Sequence, residues 1–310
     1  MSRDDVLVIG GGGFLGRALT ARLSAQGRRV HVLSRRNLVD FAPQVPVHGG
    51  GLENEVALRR LLPDCPTVFH LACTTTPSVS AGRPMLEMDE NIAPTLRFLS
   101  VLRDYPDTHL IFLSTGGALY GNIGSRPARE DDPIDPQSFH GAGKAALEAF
   151  LRAHAARSRS PLTILRASNL YGPGQPLREG FGVVRAMLER ARSGAPLEIW
   201  GDGEAVRDFM YIDDMVEICL RFAELKNDRG IYNVGSGKGY SLNQLRSVVE
   251  TATRRPLRVA YGPRRAVDVQ HIVLDTTRVR QRLHWTPQFS LERGVEVTWE
   301  WLSAGGGAAP

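Results

Sequence analysis

The feature that most constrains this chain lies at its start. Residues 6–9 form a short apolar run, Gly10-Gly11-Gly12-Gly13-Phe14-Leu15-Gly16 follows at once, and residues 14–26 carry amphipathic spacing. That order reads as strand, tight turn and helix. Glycine permits a sharp turn and a close backbone approach, and a helix start presents N–H groups and a positive dipole end to an anion. A plain glycine-rich turn is the bland alternative. Directly after a strand and ahead of an amphipathic helix, the spacing of Gly10, Gly13 and Gly16 predicts a pyrophosphate cradle formed by Gly10, Gly13, Phe14, Leu15 and Gly16.

Further apolar runs at 29–33, 67–72, 110–113 and 162–165 alternate with helical patterns at 55–62, 91–103 and 143–156. Alternation of this kind predicts an α/β fold with a doubly wound parallel (Rossmann) sheet, covered on both faces. The rhythm changes after about residue 170, where YGPGQP marks a loop. The expected organisation is a dinucleotide-binding domain over 1–170 and a smaller, mixed substrate lobe over 171–302, with segments near 205–235 returning to the first domain. The tail 303–310, SAGGGAAP, is expected to be disordered.

Composition narrows the partners. The 310 residues are 42% hydrophobic and 23% charged, with a formal net charge of +5. No dense Lys/Arg run interleaves with aromatics, which argues against nucleic acid, whereas scattered arginines suit an anionic small substrate. The three cysteines, Cys65, Cys73 and Cys219, show no zinc-ligand spacing, so no metal is expected and a reducing compartment fits. The start lacks a signal peptide's apolar core and no run reaches the roughly 18 apolar residues of a membrane span, so a soluble, cytoplasmic protein without a membrane partner is expected. The second strand ends Leu33-Ser34-Arg35-Arg36, with no carboxylate to meet ribose hydroxyls. Arg35 and Arg36 can instead hold a 2′-phosphate, which favours NADP(H) over NAD.

Motifs along the whole length carry a resemblance. VIGGGGFLG (8–16), VFHLAC (68–73), Asn91, FLSTGGALYG (112–121), RASNLYGPGQP (166–176), GDGEAVRDFMYIDD (201–214), YNVGSG (232–237), Arg265-Ala266-Val267-Asp268 and LHWTPQFSLERGV (283–295) resemble the extended short-chain dehydrogenase/reductase family, in its nucleotide-sugar epimerase/dehydratase branch. The resemblance implies that a nicotinamide cofactor takes hydride from a sugar carbon, commonly C4, while a tyrosine removes the hydroxyl proton and a lysine one turn on binds the nicotinamide ribose. It sets Leu71 and Ala72 beside the cofactor and Lys144 at its ribose. It gives Asn169, Arg207 and Arg265 the diphosphate of a nucleotide sugar, and it implies a homodimer built partly on the helix that carries Lys144. Trp200 and Tyr171 could flank the base or sugar, with core packing as the default for each.

Three positions depart from that pattern. His140 stands where the tyrosine is expected, four residues before Lys144 and so on the same helix face. Histidine is a competent acid/base near neutral pH. The serine/threonine position falls on Gly116, which leaves Thr115 as the candidate hydrogen-bond donor. Ala118 falls where related dehydratases carry a carboxylate, which argues against elimination chemistry. Cys73 reads as a small packing residue, since no activating partner is visible in sequence. The expected function is therefore a C4 nucleotide-sugar epimerase with His140, Lys144 and Thr115 as its catalytic group. An NADPH-dependent reductase of a nucleotide 4-ketosugar and an inactive binding protein are the alternatives.

Overall fold

The computed structural model describes residues 4–35, 38, 41, 44–178, 180–264 and 269–306. The chain opens with β1 (Val6–Ile9), α1 (Phe14–Ala25), β2 (Val30–Ser34), β3 (Val47–Gly49), α2 (Glu55–Leu61) and β4 (Thr67–His70). A short α3 (Pro84–Glu87) runs through a π turn (Met88–Ile92) into α4 (Ala93–Leu102), followed by β5 (His109–Thr115), α5 (Phe139–Ser158) and β6 (Leu162–Ala167). Then come β7 (Asn169–Tyr171), α6 (Val183–Ser193), β8 (Leu197–Trp200), β9 (Val206–Tyr211), α7 (Ile212–Glu224) and β10 (Arg229–Val234). The chain closes with β11 (Gly239–Ser241), α8 (Leu242–Thr253), β12 (Val259–Gly262), β13 (His271–Ile272), α9 (Thr277–Leu283) and α10 (Leu291–Ser303).

Seven parallel strands form the main sheet in the order β10-β6-β5-β4-β1-β2-β3. Strands β1, β4 and β6 are buried along their whole length, as expected of a sheet with helices on both faces. The chain moves outward from β1 to β2 and β3, then crosses back to start β4 on the other side of β1. That reversal opens a crevice at the carboxyl ends of β1 and β4, where an open α/β sheet receives its ligand. A smaller sheet is built on β9, which pairs β7, β11 and β13, and β8 pairs β12 separately. No helix among the described residues is long and apolar enough to cross a membrane.

Helix α5 begins four residues before the sequence pattern suggests. Ser138 caps it, its Oγ accepting from Gly141 N at 3.1 Å. Gly141 and Gly143 hide this start, because glycine weakens a helix signal. Both have tertiary reasons: a Cβ at Gly141 would collide with the Ala118 carbonyl, and one at Gly143 would lie 2.8 Å from Glu87 Oε2. The earlier start places His140 in the first turn of α5.

The register of α5 on the sheet is set by a buried ion pair. Arg166 on β6 and Glu148 on α5 are each 2% exposed and bond twice in a fork, Nη2 to Oε2 at 2.7 Å and Nε to Oε1 at 3.1 Å. Ser114 Oγ donates to the same carboxylate at 2.5 Å, and Arg166 Nη1 donates to Tyr120 Oη at 2.8 Å, which donates on to Asn233 Oδ1 at 2.6 Å. Removing one partner of such a pair strands the other's charge. Glu148→Gln should therefore cost about 3–5 kcal/mol. The check is urea unfolding, with a lower midpoint and an unchanged m value expected; an unmoved midpoint would show that the pair does not hold α5.

Candidate active site

The glycine turn is a backbone-only cradle. Gly10 has φ +87°, and a Cβ there would sit 2.6 Å from Ala72 N, so the ends of β1 and β4 press together. A Cβ at Gly16 would meet the Gly10 carbonyl and lie 2.6 Å from Gly11 Cα. Gly13 is the N-cap of α1 and no side chain caps that helix. Its first-turn amides, those of Phe14, Leu15 and Gly16, are thus left for an anion. With Leu71 and Ala72 lining the crevice, these features fit the diphosphate of a dinucleotide. Arg35, at the end of β2, pairs with Glu90 at 2.9 Å, while Arg36 lies outside the described residues.

One face of α5 carries three polar side chains at intervals of four residues: His140, Lys144 and Glu148. Glu148 locks the helix as described. Lys144 is 5% exposed, donates to the Leu113 carbonyl at 2.8 Å and lies 4.8 Å over the Phe112 ring. An ammonium has three donors, so two remain for a ligand. His140 Nδ1 lies 3.1 Å from Thr75 Oγ1 and 3.9 Å from Glu87 Oε1. Its side chain is 12% exposed. Nδ1 is thus engaged inward, toward Thr75 and Glu87.

Asn91 organises this corner from the π turn. Its Nδ2 donates to Thr75 Oγ1 at 3.0 Å and to Glu87 Oε2 at 2.8 Å, and its Oδ1 accepts from Thr74 N at 3.2 Å. Thr75 and Glu87 were not singled out from sequence. Thr75 sits in a run of three threonines and Glu87 in a mixed acidic segment, and neither carries a spacing signal.

Cys73 needs correction. It opens to the crevice, with Sγ 3.7 Å from Thr75 Oγ1. Although exposed as a residue, it is ringed by protein, and that desolvation alone would raise the thiol. The Lys144 ammonium and a hydrogen bond with His140 outweigh it and pull the thiol down to about 6. The partners that sequence could not show are the two α5 residues. Cys65 and Cys219 are buried, and burial pushes each thiol up to about 12.

The remaining expected residues are spread more widely. Ser114 points to α5, so the pleat turns Thr115 to the opposite face, and Thr115 is not drawn into the His140 cluster. Leu274 fills the space a side chain at Gly116 would take, its Cδ1 2.5 Å from that Cβ position, whereas Gly117 faces open space with Asn169 Nδ2 at 3.9 Å. Tyr120 cannot substitute for His140: its hydroxyl is buried between Arg166 and Asn233, and burial pushes it up to about 12. Asn169 is exposed on β7 and donates to the Asp208 carbonyl at 3.0 Å. Arg207 is half-buried on β9, with Nη1 on the Val206 carbonyl at 2.9 Å. The next residue, Asp208, is buried and accepts from Ser236 N, Ser236 Oγ and Gly237 N at 2.8 to 3.1 Å, tying β9 to the turn after β10. Arg265 lies outside the described residues. Trp200 is 39% exposed, and Tyr171 is core, donating to the Leu291 carbonyl.

Comparison with known proteins agrees with this architecture. The chain is 32% identical to the structure of UDP-glucose 4-epimerase with UDP-glucose from Thermotoga maritima, with a TM-score of 0.90 over 97% of this chain and 99% of that one. It is 29% identical over 312 residues to UDP-glucose 4-epimerase of Mycolicibacterium smegmatis, covering 96% of this chain and 97% of the relative. It is 27% identical over 304 residues to dTDP-4-dehydro-6-deoxyglucose reductase of Escherichia coli, covering 95% and 96% respectively. Residues 6–235, which hold the glycine cradle, the α5 face and the β9 segment, match the NAD dependent epimerase/dehydratase family, and the chain belongs to that family.

Proposed function

We propose that this chain is a nucleotide-sugar 4-epimerase in which His140 is the general acid/base. The observation that carries the reading is the α5 face: His140 stands one turn before Lys144, with Nδ1 held inward by Thr75 and the Lys144 ammonium on the Leu113 carbonyl. The nicotinamide cofactor, when bound, supplies reversible hydride transfer at the sugar carbon. His140 takes the proton of the sugar hydroxyl on Nε2 and returns it after the 4-ketosugar has turned over. Lys144 holds a positive charge beside that exchange and keeps two donors for the ribose. Arg207 and Arg265 are suited to the diphosphate by charge and by the fork of a guanidinium, and Asn169 joins them on family resemblance.

For the cofactor we favour NAD. Arg35 is occupied by Glu90 and so is less suited to a 2′-phosphate than its sequence position suggests. The family description points the same way. For the nucleotide we favour UDP, the one in the names of the similar epimerases. The curated reductase relative motivates one other reading, net reduction of a nucleotide 4-ketosugar by NADPH. A homodimer in the cytoplasm is part of the proposal on family resemblance.

Two measurements check the reading. The purified protein should carry oxidised cofactor detectable by mass and should interconvert C4 epimers within a panel of UDP-, dTDP- and GDP-sugars. His140→Ala should lower kcat by about 100-fold or more, the range general acid/base groups contribute, with cofactor still bound. Wild-type kcat in that variant would remove the role from His140, and NADPH consumption by a ketosugar without epimerisation would select the reductase. The second measurement is thiol alkylation. The thiolate reacts, and a lowered thiol is ionised at all pH values above its midpoint. Cys73 labelling by iodoacetamide should thus be half-maximal at about pH 6 and level off by neutrality. Lys144→Met should move that midpoint up. A midpoint near 8.5, the ordinary range of a free thiol, would contradict the electrostatics assigned to this face.

A further inference from the structure

The carboxylate at the back of the site has no role in the reaction as described so far. Glu87 is 4% exposed, so its charge sits where water cannot screen it. Asn91 satisfies Oε2, but Oε1 is fully buried and has no hydrogen-bond partner. A buried carboxylate oxygen left unpaired carries a desolvation cost that a fold does not retain without compensation. The group nearest that oxygen able to become a cation is His140, whose Nδ1 is 3.9 Å away. The approach is built in from both sides: Gly143 on α5 lacks the Cβ that would press on Glu87, and Asn91 pins the carboxylate from the π turn.

We infer that Glu87 is a positioning residue for His140, holding the ring with Nδ1 inward and taking up the charge of the imidazolium that forms during the reaction. This role rests on His140 being the acid/base. The proton balance is simple. The sugar O–H bond breaks and an Nε2–H bond forms, giving an imidazolium whose Nδ1–H donates to Thr75 Oγ1 at 3.1 Å and faces Glu87 Oε1 at 3.9 Å as its counter-charge. Return of the proton from Nε2 to the sugar oxygen restores the starting ring. The same logic holds an imidazole against a carboxylate in hydrolytic triads. Of the other polar groups near the ring, Lys144 opposes the new charge and the Cys73 thiolate favours it, and Glu87 is the carboxyl group on the inner side.

The test is a double-mutant cycle with UDP-glucose and NAD as probes, comparing wild type, Glu87→Gln, His140→Ala and the double variant. Glu87→Gln should lower kcat at least tenfold while KM for UDP-glucose and retention of NAD stay within about twofold. The double variant should be no slower than His140→Ala alone, because Glu87 acts only through the ring. If Glu87→Gln does not fold, Glu87→Asp keeps the charge, withdraws the oxygen from Nδ1 and should give the same split. Wild-type kcat in the Glu87 variant, or losses that multiply in the double variant, would overturn the inference. Those results would leave the His140 reading standing, whereas wild-type kcat in His140→Ala would remove both.

Discussion

The site depends on one buried ion pair. Glu148 and Arg166 exclude water, neutralise each other in a two-bond fork and tie α5 to β6. Because Ser114 on β5 donates to the same carboxylate, the helix is fixed to two adjacent strands at once. Everything chemical on α5 follows from that lock. One turn toward the N-terminus Lys144 meets the Leu113 carbonyl, and one turn further His140 meets Thr75. Burying two charges is costly, and apolar packing could give equal stability. The pair contributes direction: a fork admits a single register, whereas leucine-rich contacts tolerate sliding.

A second layer converts that register into chemistry. The π turn between α3 and α4 widens the helix just where Asn91 must reach Thr74, Thr75 and Glu87 together. An ordinary tyrosine–lysine pair needs no acceptor behind the acid/base, since a phenol exchanges one proton at one oxygen. An imidazole has two nitrogens, and the inner one must be held for the outer one to act. In the proposed reaction Thr75 and Glu87 meet that need on the inner side. The same corner draws Cys73 into the field of Lys144 and His140, so its thiol ionises readily although cysteine at this place looks inert in sequence.

How much of this could be read from the residues differs by scale. The parallel sheet and the glycine cradle were legible because their signals are local: apolar runs of strand length, and glycines spaced where a Cβ would strike Ala72 or Gly11. The start of α5 was not, because Gly141 and Gly143 lower helix propensity for reasons lying on the Ala118 and Glu87 segments. Arg35 looked free to meet a phosphate, and its partner Glu90 is 55 residues away. Gly116 read as a missing hydroxyl, and the structure gives the reason, since Leu274 takes that space. Thr75 and Glu87 became visible only as neighbours of His140 across the fold.

The most direct measurement of the account is a crystal structure with NAD and a UDP-sugar bound. His140 Nε2 is expected within about 2.6–3.2 Å of the sugar O4, or joined to it through one water, with Nδ1 still turned to Thr75 and Glu87. A sugar whose O4 instead meets Thr115 or bulk water, with the His140 ring turned away, would contradict it.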